Sequence, residues 1–123
     1  MTGYLVDTHI ALWWWSDARR LTAVQREVIA TAPVVMASAA SIWEVAIKAG
    51  LGRLTAPDAI ADTFVEEGFT LLPIAPEHAE AVRDLPPHHR DPFDRMLVAQ
   101  ARCEGLTLLT ADPAVRRYDV ATL

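Results

Sequence analysis

An α/β fold, a three-layer sandwich around a mainly parallel sheet of about five strands, is predicted by three observations. Short apolar runs of strand length recur along the chain: YLV, PVVMAS, FTLLPIA and LTLLT. Segments with apolar residues at helical spacing separate them. Each run ends in polar or turn-forming residues, so a strand stops where the next connection or helix begins.

In the stretch GYLVDTHI, the first strand delivers Asp7 to its C-terminal end, the edge at which open α/β sheets place their chemistry. Asp7 or Thr8 then caps a short helix through Trp15, which SDARRLT breaks. Trp13, Trp14 and Trp15 spread over about 200° of that helix, wider than one buried stripe. One of them is expected to be partly exposed or to meet another chain. A helix over 21–30 presents Leu21, Val24, Val28 and Ile29 inward before TAP ends it, and PVVMAS forms the second strand. The helix carrying SIWEVAIKAG turns Ile42, Val45, Ala46 and Ala49 inward and stops at Gly50. Another helix begins near Pro57. FTLLPIA is the third strand, and Pro73 makes it short or places it at an edge. A helix closed by Pro86 and Pro87 and the rigid connection PPHHRDP lead to a helix over 93–103, with Phe93, Met96, Leu97, Ala101 and Cys103 inward. LTLLT is the fourth strand, a turn or helix follows Asp112, and residues 118–121 add a brief fifth.

Length and charge narrow the function. The 123 residues form one domain, 1–123, with a single core. Acidic residues outnumber basic ones 16 to 11, for a net charge of −5, so overall attraction is not what would capture a nucleic acid. The sole cysteine, Cys103, excludes an internal disulfide and a thiolate metal cage and is read as a core residue. The start lacks a secretory pattern, and no apolar stretch reaches the roughly 18 residues of a membrane span. A cytoplasmic protein without membrane contact is expected.

Four acids carry the chemical argument: Asp7, Glu44, Asp94 and Asp112. A parallel sheet would gather them at one edge, and clustered carboxylates need a cation or a proton to offset their repulsion. Their hard oxygens suit Mg²⁺ or Mn²⁺, one ion or two, leaving positions for water and phosphate oxygens. Each acid also has a local alternative. Ser41 and Glu44 have the spacing of a capping box. Asp91 precedes Pro92 as an N-cap would, which leaves Asp94 as the ligand of that segment. Asp112 can cap, bind metal directly or act one layer behind it.

Thr8, Ser38, Ser41 and Thr110 are hydroxyls able to orient ligands or to cap helices. His9 stands at the rim. Lys48, Arg53, Arg90 and Arg95 can guide phosphates toward the acids, with ordinary solvent exposure as the alternative for each. His88 and His89 read as polar residues of a proline-bounded loop.

Taken together, YLVDTH, SAASIWEVAIKAGLGRL, HRDPFDRMLVAQA and LTLLTAD resemble the PIN-domain ribonucleases, and more narrowly the VapC-type toxins of toxin–antitoxin pairs. The resemblance spans essentially the whole chain. It implies an acidic pocket of Asp7, Glu44, Asp94 and Asp112, with Asp91 beside it and Thr8, Ser38, Ser41 and Thr110 as supporting hydroxyls. It further implies hydrolysis of structured RNA to a 5′-phosphate and a 3′-hydroxyl, a cognate antitoxin and a homodimer. A catalytically inactive PIN-like module that binds RNA or protein is the alternative. A receiver-like or haloacid-dehalogenase-like phosphotransfer protein fits less well, because His9 stands where the latter would want a second aspartate.

Overall fold

The computed structural model describes residues 3–123. Four short strands, β1 (Tyr4–Val6), β2 (Val35–Ser38), β3 (Thr70–Leu72) and β4 (Thr107–Leu109), pair in the order β3-β2-β1-β4, and every pairing is parallel. The helices are α1 (Thr8–Ser16), α2 (Ala23–Thr31), α3 (Ala39–Gly50), α4 (Ile60–Glu66), α5 (Pro76–Ala81) and α6 (Pro92–Glu104). Because the strands all run one way, their C-terminal residues share one edge. Asp7, Ser38 and Thr110 sit at or just past that edge.

Alternation along the strands divides the core. Leu5 and Leu108 face one side, with Leu97 and Val98 of α6, Val115 and Tyr118. Val6 and Leu109 face the other, with Ile10 and Ala11 of α1 and Phe64 of α4. Successive residues of a strand point to opposite faces, so three consecutive apolar residues supply both layers. Pro73 lies just beyond β3, which is the edge strand it suggests. Among the described residues, no helix is long and apolar enough to cross a membrane.

Several expectations need correction. The sheet has four strands, not five: the last residues run beside β4 through Leu108 N to Ala121 O (2.8 Å) and Leu123 N to Leu108 O (3.0 Å), yet form only the Leu108–Thr122 bridge. A 3₁₀ turn over Val115–Arg117 and a bend at Asp119 use up the chain a longer strand would need. The fourth helix begins at Ile60 rather than near Pro57. In α2, Val24 is 55% exposed while Gln25 is buried. The Gln25 side chain accepts from the Thr22 amide (3.1 Å) and donates to the carbonyls of Leu123 (3.1 Å) and Thr110 (3.3 Å). Hydrogen bonds outweigh periodicity there. Ala46 and Cys103 are exposed, one residue or two past the buried arc of their helices. All three tryptophans of α1 are half-buried, and the most exposed tryptophan is Trp43 at 59%.

Candidate active site

Asp7 is the most constrained acid. Its Oδ1 accepts from the amides of His9 (2.8 Å) and Ile10 (3.3 Å), capping α1, while Oδ2 accepts from the Thr110 hydroxyl (2.7 Å). The cap is therefore Asp7 and not Thr8, whose hydroxyl instead donates to Ser41 Oγ at 2.8 Å. Burial pushes the Asp7 carboxyl up, and the Thr110 hydroxyl, the two amides and the charge of His9 counter it in part.

Glu44 is buried on α3. Ser38 caps that helix, accepting from the Ala40 amide at 3.0 Å, so the cap stands three residues before Ser41. Glu44 therefore has no orphan amide to satisfy, which removes the capping-box alternative. Lys48, one turn on, holds Glu44 Oε2 at 2.6 Å. Glu44 Oε1 is buried with no hydrogen-bond partner among the described residues.

Asp91 caps α6, its Oδ1 accepting from the amides of Phe93 (2.8 Å) and Asp94 (3.1 Å), with Pro92 at the first helical position. Asp94, left free to face the site, has its carboxyl raised to about 7 by burial first, then by the negative charges of Asp91 and Asp7 and, more weakly, Glu44, with His89 opposing. These acids are close enough for their charges to act on one another.

His89, which the sequence presents as a polar residue of a proline-bounded loop, lies among the acids instead. Its Nδ1 accepts from the Asp91 amide (3.1 Å), which puts the ring proton on Nε2. That nitrogen lies 2.8 Å from Asp112 Oδ2 and 3.0 Å from Asp94 Oδ2. His89, Asp94 and Asp112 place donor atoms within 4.8 Å of one another, a set that does not include Asp7 or Glu44. A polar loop residue thus bridges two of the acids. The only signal available in the sequence was its place two residues before Asp91.

Burial alone would raise Asp112, but the Ala114 amide and the hydrogen bond from His89 outweigh it, with the charge of His9 adding to them, and hold the carboxyl low. Thr110 joins the two strand ends, since the oxygen that donates to Asp7 also accepts from the Asp112 amide at 3.0 Å. Ser38 and Ser41 are fully buried, Ser38 capping α3 and Ser41 accepting from the Thr8 hydroxyl.

The basic residues divide. Arg95 does not face the site: its guanidinium donates to the carbonyls of Pro86 (2.9 Å), Val82 (3.1 Å) and Leu85 (3.2 Å) and to the Tyr118 hydroxyl (3.2 Å). Its donors close the turn before α6 instead. Lys48 is tied to Glu44, while Arg53, Arg90 and His9 are exposed. His88 packs edge-on to Tyr118, with ring centroids 4.9 Å apart. A second cluster, Glu77, His78 and Glu104, is structural. His78 Nδ1 accepts from the Ala75 amide (2.9 Å), so Nε2 bears the proton and donates it to Glu104 (2.9 Å), joining α5 to α6.

Residues 4–121 match the PIN domain family. Ribonuclease VapC22 of Mycobacterium tuberculosis is 29% identical over 121 residues, covering 96% of this chain and 93% of that protein. Among solved structures, the DNA-bound VapBC of Salmonella typhimurium superposes with a TM-score of 0.74 at 14% identity, over 100% of this chain and 98% of that one. VapBC2 of Rickettsia felis, bound to a promoter DNA fragment, gives 0.73 at 14% identity over 98% and 96%. With its parallel four-stranded sheet and acids gathered at the strands' C-terminal edge, the chain belongs to the PIN domain family.

Proposed function

We propose that the chain, read as one domain over 1–123, is a divalent-metal-dependent ribonuclease acting as the toxin of a toxin–antitoxin pair. The observation that carries this reading is a set of incompletely partnered acids at one sheet edge. Glu44 Oε1 is buried without a partner among the described residues, and Asp94 is raised to about 7 by burial and by Asp91, Asp7 and Glu44. Hard carboxylate oxygens in that condition fit Mg²⁺ or Mn²⁺. Asp7 and Asp94 would hold one ion or two, with Glu44 directly or through water and Asp112 directly or one layer behind. When bound, such an ion supplies Lewis acidity and lowers the pKa of its water.

The chain's own residues do the positioning. Thr110 and the α1 amides fix both oxygens of Asp7. Lys48 turns one oxygen of Glu44 away and leaves the other free. His89 holds Asp94 and Asp112 together by sharing one N–H. Thr8, Ser38 and Ser41 stabilise the buried layer behind the acids. The substrate is an RNA phosphodiester, hydrolysed to a 5′-phosphate and a 3′-hydroxyl, with His9, Lys48, Arg53 and Arg90 as candidates to meet phosphates. The relative named a ribonuclease and the VapBC complexes support this reading and an antitoxin partner; a homodimer and a cytoplasmic location complete the proposal.

The test is cleavage of total cellular RNA by the purified chain in Mn²⁺ or Mg²⁺. Asp7→Asn, which keeps an oxygen to cap α1, should fold normally and lose on the order of 100-fold or more of the activity. A folded, metal-bound wild type that leaves all RNA intact, or an equally active Asp7→Asn protein, would replace this reading with the inactive binding module.

A further inference from the structure

Beside the acids lies a cleft of about 320 Å³ lined by Asp7, His9, Trp13, Arg20, Ala111 and Asp112. Two of these lining residues are acids of the site; the other four carry no carboxylate. The Arg20 guanidinium lies 4.2 Å from the centre of the Trp13 ring, and the exposed His9 ring is tilted against the same indole at 5.9 Å. Trp13 is half-buried and anchored in the core with Val6 and Ile10, so it is a fixed floor. Arg20 is exposed and, among the described residues, makes no ion pair and no side-chain hydrogen bond, although Asp7 and Asp112 line the same cleft. Its neighbour Arg19, by contrast, is paired with Asp17 at 3.1 Å.

From this geometry we infer a nucleotide subsite: one unpaired RNA base, adjacent to the cleaved phosphate, stacks on the Arg20 guanidinium plane over Trp13, with His9 at its edge. The inference rests on the ribonuclease reading above. A guanidinium seated over an indole has an outer face to offer a nucleobase and free N–H groups to offer a phosphate, the two contacts by which single-stranded RNA is held. The cleft is at the small end of ligand pockets, sized for one nucleotide rather than a duplex. It places cationic and aromatic surface beside the acids, where their charge would otherwise repel the backbone, in a chain of net charge −5.

The experiment uses the free full chain and a short unstructured oligoribonucleotide carrying 2-aminopurine, with Ca²⁺ in place of Mg²⁺ and Mn²⁺. Binding should quench the probe, and Arg20→Ala should weaken it by on the order of 10- to 100-fold. Arg20→Lys, which keeps the charge and loses the plane, should recover only part of it. In Mn²⁺, replacing the flanking nucleotide with an abasic one should raise KM for wild type but not for Arg20→Ala, with kcat little changed. If wild type cleaves RNA but Arg20→Ala binds and cleaves as it does, the subsite is wrong and the nuclease reading stands. If wild type cleaves nothing yet binds the probe through Arg20, the subsite stands and the nuclease reading falls. Arg20-independent binding, or none, makes the Trp13–Arg20 pair a packing contact or a seat for a protein segment.

Discussion

At the scale of the residue, Asp94 carries a consequence for stability. Its carboxyl, ordinarily at 3.8, is raised to about 7 in the fold by burial and neighbouring acids. A raised folded value means that the folded state binds the proton more tightly than the unfolded chain. The stability from that proton is complete below the ordinary value and is lost as pH rises through about 7. Asp7, also raised by burial, acts in the same direction, while Asp112, held low, loses its contribution only in strong acid. Without metal, Tm is expected to fall by roughly 4–8 °C between about pH 5 and pH 8. Asp94→Asn should flatten most of that fall in a calorimetric series. A wild-type Tm indifferent to pH across that window would remove the acid repulsion on which the metal argument rests.

At the scale of the element, α3 serves two faces of the molecule. Inward it buries Ala40, Ser41, Glu44 and Val45, and so brings Glu44 to the sheet edge. Outward, Trp43 (59% exposed), Ile47 (39%) and Leu51 (62%) follow one another at one-turn spacing, a contiguous apolar stripe on the surface. Trp43 also meets Phe93 of α6 edge-on at 5.0 Å, so the stripe reaches the segment that carries Asp94. If the proposed homodimer uses this stripe, Ile47→Asp should fold, since its side chain is already partly in water, and should shift the mass measured by light scattering from dimer to monomer. An Ile47→Asp protein that remains dimeric would place the interface elsewhere. The α1 tryptophans are poorer candidates, since Trp15 packs edge-on to Phe64 at 5.1 Å and Trp13 lies beneath Arg20.

At the scale of the whole molecule, β1, β4, α3 and α6 bring like charges to one edge, so the fold holds its acids together at a cost that a cation would relieve. Thermal unfolding with rising Mn²⁺ should show a stabilisation approaching about 2.7 kcal/mol at a hundredfold excess over Kd. Asp94→Asn should lose most of it; equal responses in the two proteins would exclude Asp94 as a ligand. By itself the sequence determined the alternation of strands and helices, the delivery of Asp7 and Thr110 to strand ends, and the Asp91–Pro92 cap, because hydrophobic period, strand length and proline chemistry act over a few residues. Only the tertiary structure decided that Asp7 and not Thr8 caps α1, that His89 bridges Asp94 and Asp112, and that Arg95 serves backbone carbonyls. It also ended the sheet at four strands. Those outcomes rest on pairings across the chain, such as Thr110 to Asp7 at a separation of 103 residues. A side chain's partner at such range is chosen by packing and by competition for buried donors, which leave no periodic mark on the sequence around it.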